Sequence, residues 1–476
     1  MLNQKKIFLK SLQKNLNENF LIGNESKLSF QNIFSYIVQI NNYLTKNNLE
    51  KKIVIIQFEN RFYTFIFYIA AIFSKTTICP LDPKLPEERV SKIKKLINAK
   101  KIIKKINLNE KILFEESKLN FSNHKFLITF SSGTSGDPKG IVHDSDNILG
   151  ISLSYSKIAK FNKNTVILHC LPEYYMAGIV NTFFAVLSAA GKVVVIDSFN
   201  RRLLYKIWSY IHSHSINVVY LIPSIYSMII NFSTPNAAEI SQKNKINFFS
   251  TSNNLYPSIR KIFFKKFKIK IKSCYGITEM GGPLTNETKP SFKTDSVGSS
   301  IRGCEIKVKK IDNKNFLLFK SKYQCKYLII NGRKKKIEID KYGYFNSNDT
   351  GFFKKNDLIL TGREKDIIKK GGEYINLKDI ENIFMECHFV NEVAAIGIDD
   401  DLSDEKLYIY ILTKLKKIKE KDISYLLNFV KKKMYKTERP DKIIFLKTIP
   451  KTLSGKIIKR KLKYINAQDK IREIIL

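Results

Sequence analysis

A dense run of small hydroxyl residues and glycines, Thr129–Gly140 (TFSSGTSGDPKG), follows an apolar strand-like stretch and includes one lysine. Glycines let backbone N–H groups approach closely and adopt positive φ, so successive amides can form a concave anion site. Ser131, Ser132, Thr134 and Ser135 add hydroxyl donors, Gly133 and Gly136 add freedom, and Lys139 adds a positive charge suited to phosphate. G-x-x-x-x-G-K-[ST] cannot be fitted to this run, so it is not a Walker A loop. A Ser/Gly linker is the bland alternative, but a linker would not sit between an apolar strand and Ile141-Val142-His143. Phosphate binding is the better reading.

Further along the chain come CYGITEM (Cys274–Met280), YGYFNSNDTG (Tyr342–Gly351), GREKDIIKKGGEYINLKDIE (Gly362–Glu381) and PKTLSGKIIKRKL (Pro450–Leu462). Taken singly, a Tyr-Gly is a turn, an Asp-Thr-Gly a cap and a Gly-Lys a loop. Taken in order, with SSGTSGDPKG, PLDPKLPEER (Pro80–Arg89) and LPEYYMAG (Leu171–Gly178), they resemble the ordered motifs of the adenylate-forming superfamily. That group includes acyl- and aryl-CoA synthetases, luciferase and the adenylation domains of peptide synthetases, and the similarity runs from Val54 to Lys461.

The resemblance implies a reaction and a set of roles. A carboxylate attacks the α-phosphate of ATP, pyrophosphate leaves, and charge builds on phosphate oxygens that cations and donors must stabilise. Lys456 is implied to bridge carboxylate and α-phosphate, and Thr278 to contact that phosphate. Glu279, with Thr134, would hold Mg²⁺, a hard cation that prefers oxygen ligands. Tyr275 would stack near adenine, while Asp349 and Arg363 would take the ribose hydroxyls. Tyr175, Met176 and Gly276 would line the acid pocket. Lys365 occupies the hinge position, and Gly371 and Gly372 the loop that leaves room for a pantetheine arm. PLDPKLPEER corresponds to a motif that is mainly structural.

The branch of the family follows from one position. Amino-acid-activating members carry an aspartate just after the aromatic of the LPEYYMAG motif, to pair with the substrate ammonium. Here Met176 stands there, and a thioether cannot pair with an ammonium. GGEYI (Gly371–Ile375) also resembles the acyl- and aryl-CoA ligase form. The expected activity is an ATP-dependent acid–thiol ligase that forms an acyl-AMP and then acylates coenzyme A. An enzyme loading the phosphopantetheine arm of an acidic acyl carrier protein is the first alternative, and a catalytically degenerate binding protein the second. Three departures stand out: Asn253 and Asn254 where small residues are usual, Ser347-Asn348 where Thr-Gly is commoner, and Leu377 where proline is usual.

These residues need elements to hold them. Val54–Phe58, Thr76–Asp82, Lys125–Phe130, Val166–Leu171, Gly191–Asp197 and Ile216–Ile222 read as strands; Arg61–Phe73, Pro86–Ala99 and Arg201–His214 read as helices. The alternation predicts α/β layers with largely parallel sheets. After Ser291 the runs EIKVKKID, FLLFKS, KYLIING and KKIEID predict a small, mostly antiparallel, barrel-like β-subdomain over about 291–361. From Asp366 the pattern is α+β, with helices over Leu377–Cys387 and Lys421–Tyr435. The expected organisation is a large α/β ATP- and acid-binding domain, 1–364, and a small mobile C-terminal domain, 365–476, carrying Lys456.

The chain has 476 residues, and its 82 Lys+Arg against 43 Asp+Glu give a formal charge of +39. The lysines are spread along the whole length rather than clustered, so no specific nucleic-acid partner is expected. An abundance of 33 Phe and 23 Tyr excludes wholesale disorder. The six cysteines form no C-x-x-C pair, which suits a reducing, cytoplasmic setting better than a disulfide framework. The N-terminus has no signal-peptide pattern, and the longest apolar stretch, Phe62–Phe73, is too short to span a bilayer.

Overall fold

The structure is a computed structural model that describes residues 4–475 apart from 15, 24–25, 109–118, 132–138, 197–200, 234–236, 244, 253–254, 291–295, 312–313, 371–372, 401–403, 416 and 453–454. Three sheets organise it. A 13-stranded sheet carries the parallel strands Lys192–Val195, Val166–His169, Val218–Leu221, Asn247–Ser250 and Lys272–Ile277 side by side. The first four are mostly apolar and largely buried on both faces, as helix-covered parallel strands must be. Lys272–Ile277 is partly exposed toward its end. In such a sheet ligands bind outside the carboxyl ends of the strands. Those ends here are His169, Leu221, Ser250 and Ile277.

A seven-stranded sheet holds Thr77–Pro80, Ile53–Ile56 and Lys101–Ile103 in parallel, with Lys125–Ser131 and its antiparallel partner Lys139–Asp144 alongside. The register pairs Ser131 with Lys139, so the Ser/Gly loop closes a β-hairpin. Helix Phe30–Lys46 starts at a capping box, Ser29 with Asn32, and helix Arg61–Ile72 at the cap Asn60. Pro223 and Pro257 open two further helices, where their missing N–H costs nothing.

The short antiparallel strands after Ser291 exist, but they do not form one unit. Cys304–Ile311, Lys314–Ser321, Phe345–Lys354, Asp357–Arg363 and Ser296–Ser300 continue the 13-stranded sheet through Gly282–Asn286. Tyr327–Ile330 instead pairs with Lys139–Asp144, and its hairpin partner Arg333–Lys335 forms the edge of the seven-stranded sheet. Of KKIEID only the first residue, Lys335, lies in a strand, Arg333–Lys335; 336–340 are not strand. Alternation gives a strand its existence, whereas its partner depends on contacts far away in sequence.

The third sheet spans Ile367–Ile475 and is packed by helices Leu377–Phe384 and Glu420–Lys433. No described helix is long and apolar enough to cross a membrane. All six cysteines are free and buried.

Candidate active site

Strand Lys272–Ile277 carries Tyr275 and Gly276 and runs into a 3-10 turn, Thr278–Met280. The ladder to Gly282–Asn286 slips between Tyr275 and Gly276, and this bulge turns the strand end toward the crevice. A Cβ on Gly276 would lie 2.2 Å from the Gly282 carbonyl oxygen, so only glycine fits. The strand is fixed from behind by a buried ion pair. Arg260 donates to Glu287 at 2.8 Å, to the Ile271 carbonyl at 3.0 Å and to Ser273 Oγ at 2.6 Å. Glu287 also accepts from the Ser273 amide at 2.9 Å. Arg260 and Glu287 thus hold both Ile271 and Ser273, at the start of the segment leading to Tyr275.

Asp349 is buried at the bulge of the neighbouring hairpin, opposite Arg363 in the register. The Arg363 Nε–H donates to its Oδ1 at 2.6 Å, and the Tyr275 hydroxyl donates to its Oδ2. Burial, and then the Asp349 charge, hold the Tyr275 hydroxyl well above its usual range, so it stays a donor. Each carboxylate oxygen has two lone pairs, which leaves one on each for a ligand. The Tyr275 ring packs 5.6 Å from Phe319.

Glu279 is half-buried, and burial raises its carboxyl above the ordinary value. The positive charges of Lys139, Arg363 and Lys456 all pull in the opposite direction. These cations come from three separate chain segments. The lysine loop is held as a small turn: Thr452 N–H donates to the Lys456 carbonyl at 2.7 Å, and Gly455 N–H to the Thr452 carbonyl at 2.9 Å. Gly455 has φ +79°, and a Cβ there would lie 2.3 Å from Ile222 Cδ1. Ile222 directly follows strand Val218–Leu221, so the loop carrying Lys456 touches the crevice where the parallel strands end.

Beside this loop, Lys459 bridges Asp366 at 3.2 Å and Glu381 at 2.9 Å. Glu381 also accepts from the Ala395 amide at 2.9 Å and from the Tyr256 hydroxyl at 3.4 Å. Lys459 therefore ties the turn containing Lys365 to helix Leu377–Phe384. Sequence reading assigned none of these three a role; a lysine three residues after Lys456 was the one available signal.

Tyr175 is half-buried with its ring 5.1 Å from Tyr174, whose hydroxyl donates to Asp82 at 2.7 Å. Met176 is buried, its Cε 3.5 Å from where a Cβ on Gly282 would sit, which brings it to the Gly276 hairpin. An eight-residue π-helix, Ala177–Phe184, follows directly. The segment is clamped by Arg61, which donates to Glu173 at 2.8 Å and to the carbonyl of His169. A charged residue inside an otherwise apolar motif signals such a clamp, and sequence reading passed over it. His143 is fully buried beside the Thr278 backbone, and burial pushes it down to about 4.

The expected residues Ser132, Gly133, Thr134, Ser135 and Gly136 lie outside the described residues, as do Gly371 and Gly372. Ser131 ends its strand and Lys139 begins the next, so the loop's two ends are fixed at this site. Lys365 lies in the 3-10 turn Glu364–Asp366, between strands Asp357–Arg363 and Ile367–Lys370.

The family model of AMP-binding enzymes matches residues 115–317, and that of the AMP-binding enzyme C-terminal domain matches 379–456; together they take in more than half of the chain. The chain belongs to the adenylate-forming, AMP-binding superfamily. Among curated members it is 26% identical over 350 residues to an oxalate–CoA ligase of Saccharomyces cerevisiae, covering 70% of this chain and 62% of that protein. It is 24% identical over 383 residues to a malonate–CoA ligase of Arabidopsis thaliana, covering 73% and 62%. The matched region thus spans about three-fifths of the length of these relatives. ATP-bound MatB from Rhodopseudomonas palustris shares the fold with a TM-score of 0.83 at 20% identity, covering 97% of this chain and 99% of that one. The superfamily fold, a large mixed α/β part followed by a smaller C-terminal part, is therefore the fold of this chain.

Proposed function

We propose that this adenylate-forming protein couples a carboxylic acid to ATP, releasing pyrophosphate, and then transfers the acyl group from acyl-AMP to the thiol of coenzyme A. In the first step a carboxylate oxygen forms a bond to the α-phosphorus and the bond to pyrophosphate breaks. In the second the thiol sulfur attacks the acyl carbon and AMP leaves. The observation that carries the reading is the contact of the Gly455 turn, which carries Lys456, with Ile222 at the carboxyl end of a parallel strand; the charges of Lys139, Arg363 and Lys456 are all felt at Glu279. Positive charge from three separate segments suits a polyanionic ligand.

Residues 1–364 act as the nucleotide- and acid-binding domain, and 365–476 as the domain that swings about Lys365. Lys456 neutralises the approaching carboxylate and α-phosphate, where positive charge matters most in the transition state. Thr278 donates to the α-phosphate. Lys139 and the hydroxyl-rich loop Ser131–Gly136 take the outer phosphates. Asp349 accepts from the ribose hydroxyls through its free lone pairs, held in place by Arg363 and Tyr275, and the Tyr275 ring lies against adenine. Tyr175, Met176 and Gly276 enclose the acid. After rotation, Gly371 and Gly372 admit the pantetheine arm.

Glu279 fits Mg²⁺ as a single carboxylate ligand, because a hard divalent cation prefers oxygen donors and this one is half-buried beside the proposed phosphate site. Bound with ATP, the ion would neutralise triphosphate charge. Reduced cysteines support a cytoplasmic setting, and the relatives' names support a small carboxylic acid. Pyrophosphate release screened over a panel of carboxylic acids tests this. Acid-dependent release, followed by thioester formation with coenzyme A, is expected. Acid-independent release, or none with ATP bound, would overturn the reading. Release without a coenzyme A thioester would instead favour a carrier-protein thiol.

A further inference from the structure

Behind the residues proposed to enclose the acid lies a buried cluster of uncharged polar groups. Asn181 lies in the π-helix, about one π-turn beyond Met176, and is 2% exposed. Its Nδ2 donates to Cys274 Sγ at 3.6 Å, two residues before Gly276. The thiol has one proton, and it goes to the Ser250 carbonyl at 3.6 Å. The sulfur can therefore only accept from Asn181, which fixes the amide with its oxygen pointing away. That Oδ1 has no donor among the described residues, nor has the hydroxyl of Ser250, also 2% exposed.

Buried polar atoms in native proteins are almost always paired, so two orphans beside one thiol call for a partner that the described residues do not supply. Ser250 ends one of the parallel strands, where a ligand is received, and Asn181 meets it through the Cys274 thiol. Among the described residues no charged side chain bonds to them. Behind Cys274 stand Tyr155, Tyr220 and Asn286, joined hydroxyl to hydroxyl to amide. Arg61 and Glu173, the buried charges tied to the same motif, satisfy each other. Burial keeps the Cys274 thiol protonated. A second carboxylate or an ammonium would find no counter-charge here, and a purely apolar tail would leave the amide oxygen orphaned.

We infer that the acid activated here carries a neutral hydrogen-bond donor, a hydroxyl or amide N–H, at the end remote from its reacting carboxylate, and that Asn181 Oδ1 receives it. This rests on the adenylation reading. It separates the protein from the dicarboxylates named for the oxalate and malonate ligases.

The test is ATP–pyrophosphate exchange with matched acids on one skeleton: 4-hydroxybutanoate, pentanoate and glutarate, and 4-hydroxybenzoate, 4-methylbenzoate and terephthalate. In at least one set the hydroxyl member should exceed both others tenfold or more in kcat/KM. Asn181→Leu should abolish that preference mainly through KM, while the isosteric Asn181→Asp keeps an acceptor and retains part of it. Methyl members turned over equally well, or carboxylate members preferred, would overturn the inference and leave adenylation standing. ATP binding by calorimetry with no exchange from any donor-bearing acid would also overturn it. Neither ATP binding nor exchange would defeat the adenylation reading itself. If the Leu variant does not fold, the wild-type comparison alone decides.

Discussion

At the residue scale the account rests on single charges placed where ATP's charge must be managed. Lys456→Ala should lower acid-dependent pyrophosphate release by roughly 10²–10³, the cost of one ionic transition-state contact. ATP binding measured by calorimetry should change little, because Lys139 and the hairpin loop remain. Glu279→Gln should raise the Mg²⁺ concentration giving half-maximal release, and an unchanged titration would mean the metal is held elsewhere. The ionic residues stand out in the sequence because their types and order are distinctive. Two departures from the family pattern also acquire physical reasons. Asn348 has φ +59°, a left-handed conformation that asparagine tolerates where glycine is usual. Leu377 occupies the first helical position after the cap Asn376, where proline's missing N–H costs nothing and leucine instead buries its side chain. What could not be read were pairings such as Asn181 with Cys274. They join positions that no local pattern connects.

At the scale of elements, the site depends on how strand ends and turns are held. The strands with alternating or apolar runs were readable one by one, and the parallel order followed from intervening helices. The placement of Tyr327–Ile330 beside Lys139–Asp144 was not, since antiparallel partners more than 180 residues apart leave no local trace. Nor was the π-helix, because Ala177–Phe184 is apolar except for Asn181 and Thr182 and shows no period. Glu287→Gln should destabilise the fold by about 3–5 kcal/mol in urea unfolding, because it strands the buried Arg260 guanidinium among neutral groups. A loss below 1 kcal/mol would show that the pair does not anchor the strand leading to Tyr275. Lys365→Pro tests the proposed rotation. It fixes φ near −65° within the turn Glu364–Asp366, so thioester formation from preformed acyl-AMP should fall much more than pyrophosphate release. Equal loss of both steps, or of neither, would contradict a two-state hinge.

At the scale of the whole molecule, a formal charge of +39 sits on a core that hides neutral imidazoles. Burial pushes His143 and His124 down to about 4 and His169 to about 3, from an ordinary value of 6.5. Between these values the unfolded chain binds more protons than the native one. Stability is therefore full above pH 6.5 and falls as pH drops toward 4. The urea midpoint should decline over that window even in high salt, which screens surface repulsion but not burial; a flat midpoint would contradict neutral buried histidines. The central claim, however, is chemical: that this fold uses Lys456, brought onto the crevice by its Gly455 turn, to join an acid to AMP. ATP–pyrophosphate exchange measured with and without acid, in the wild type and in Lys456→Ala, tests it most directly. The account predicts exchange that requires both acid and Lys456. Exchange at the same rate in the variant, or exchange indifferent to acid, would contradict it.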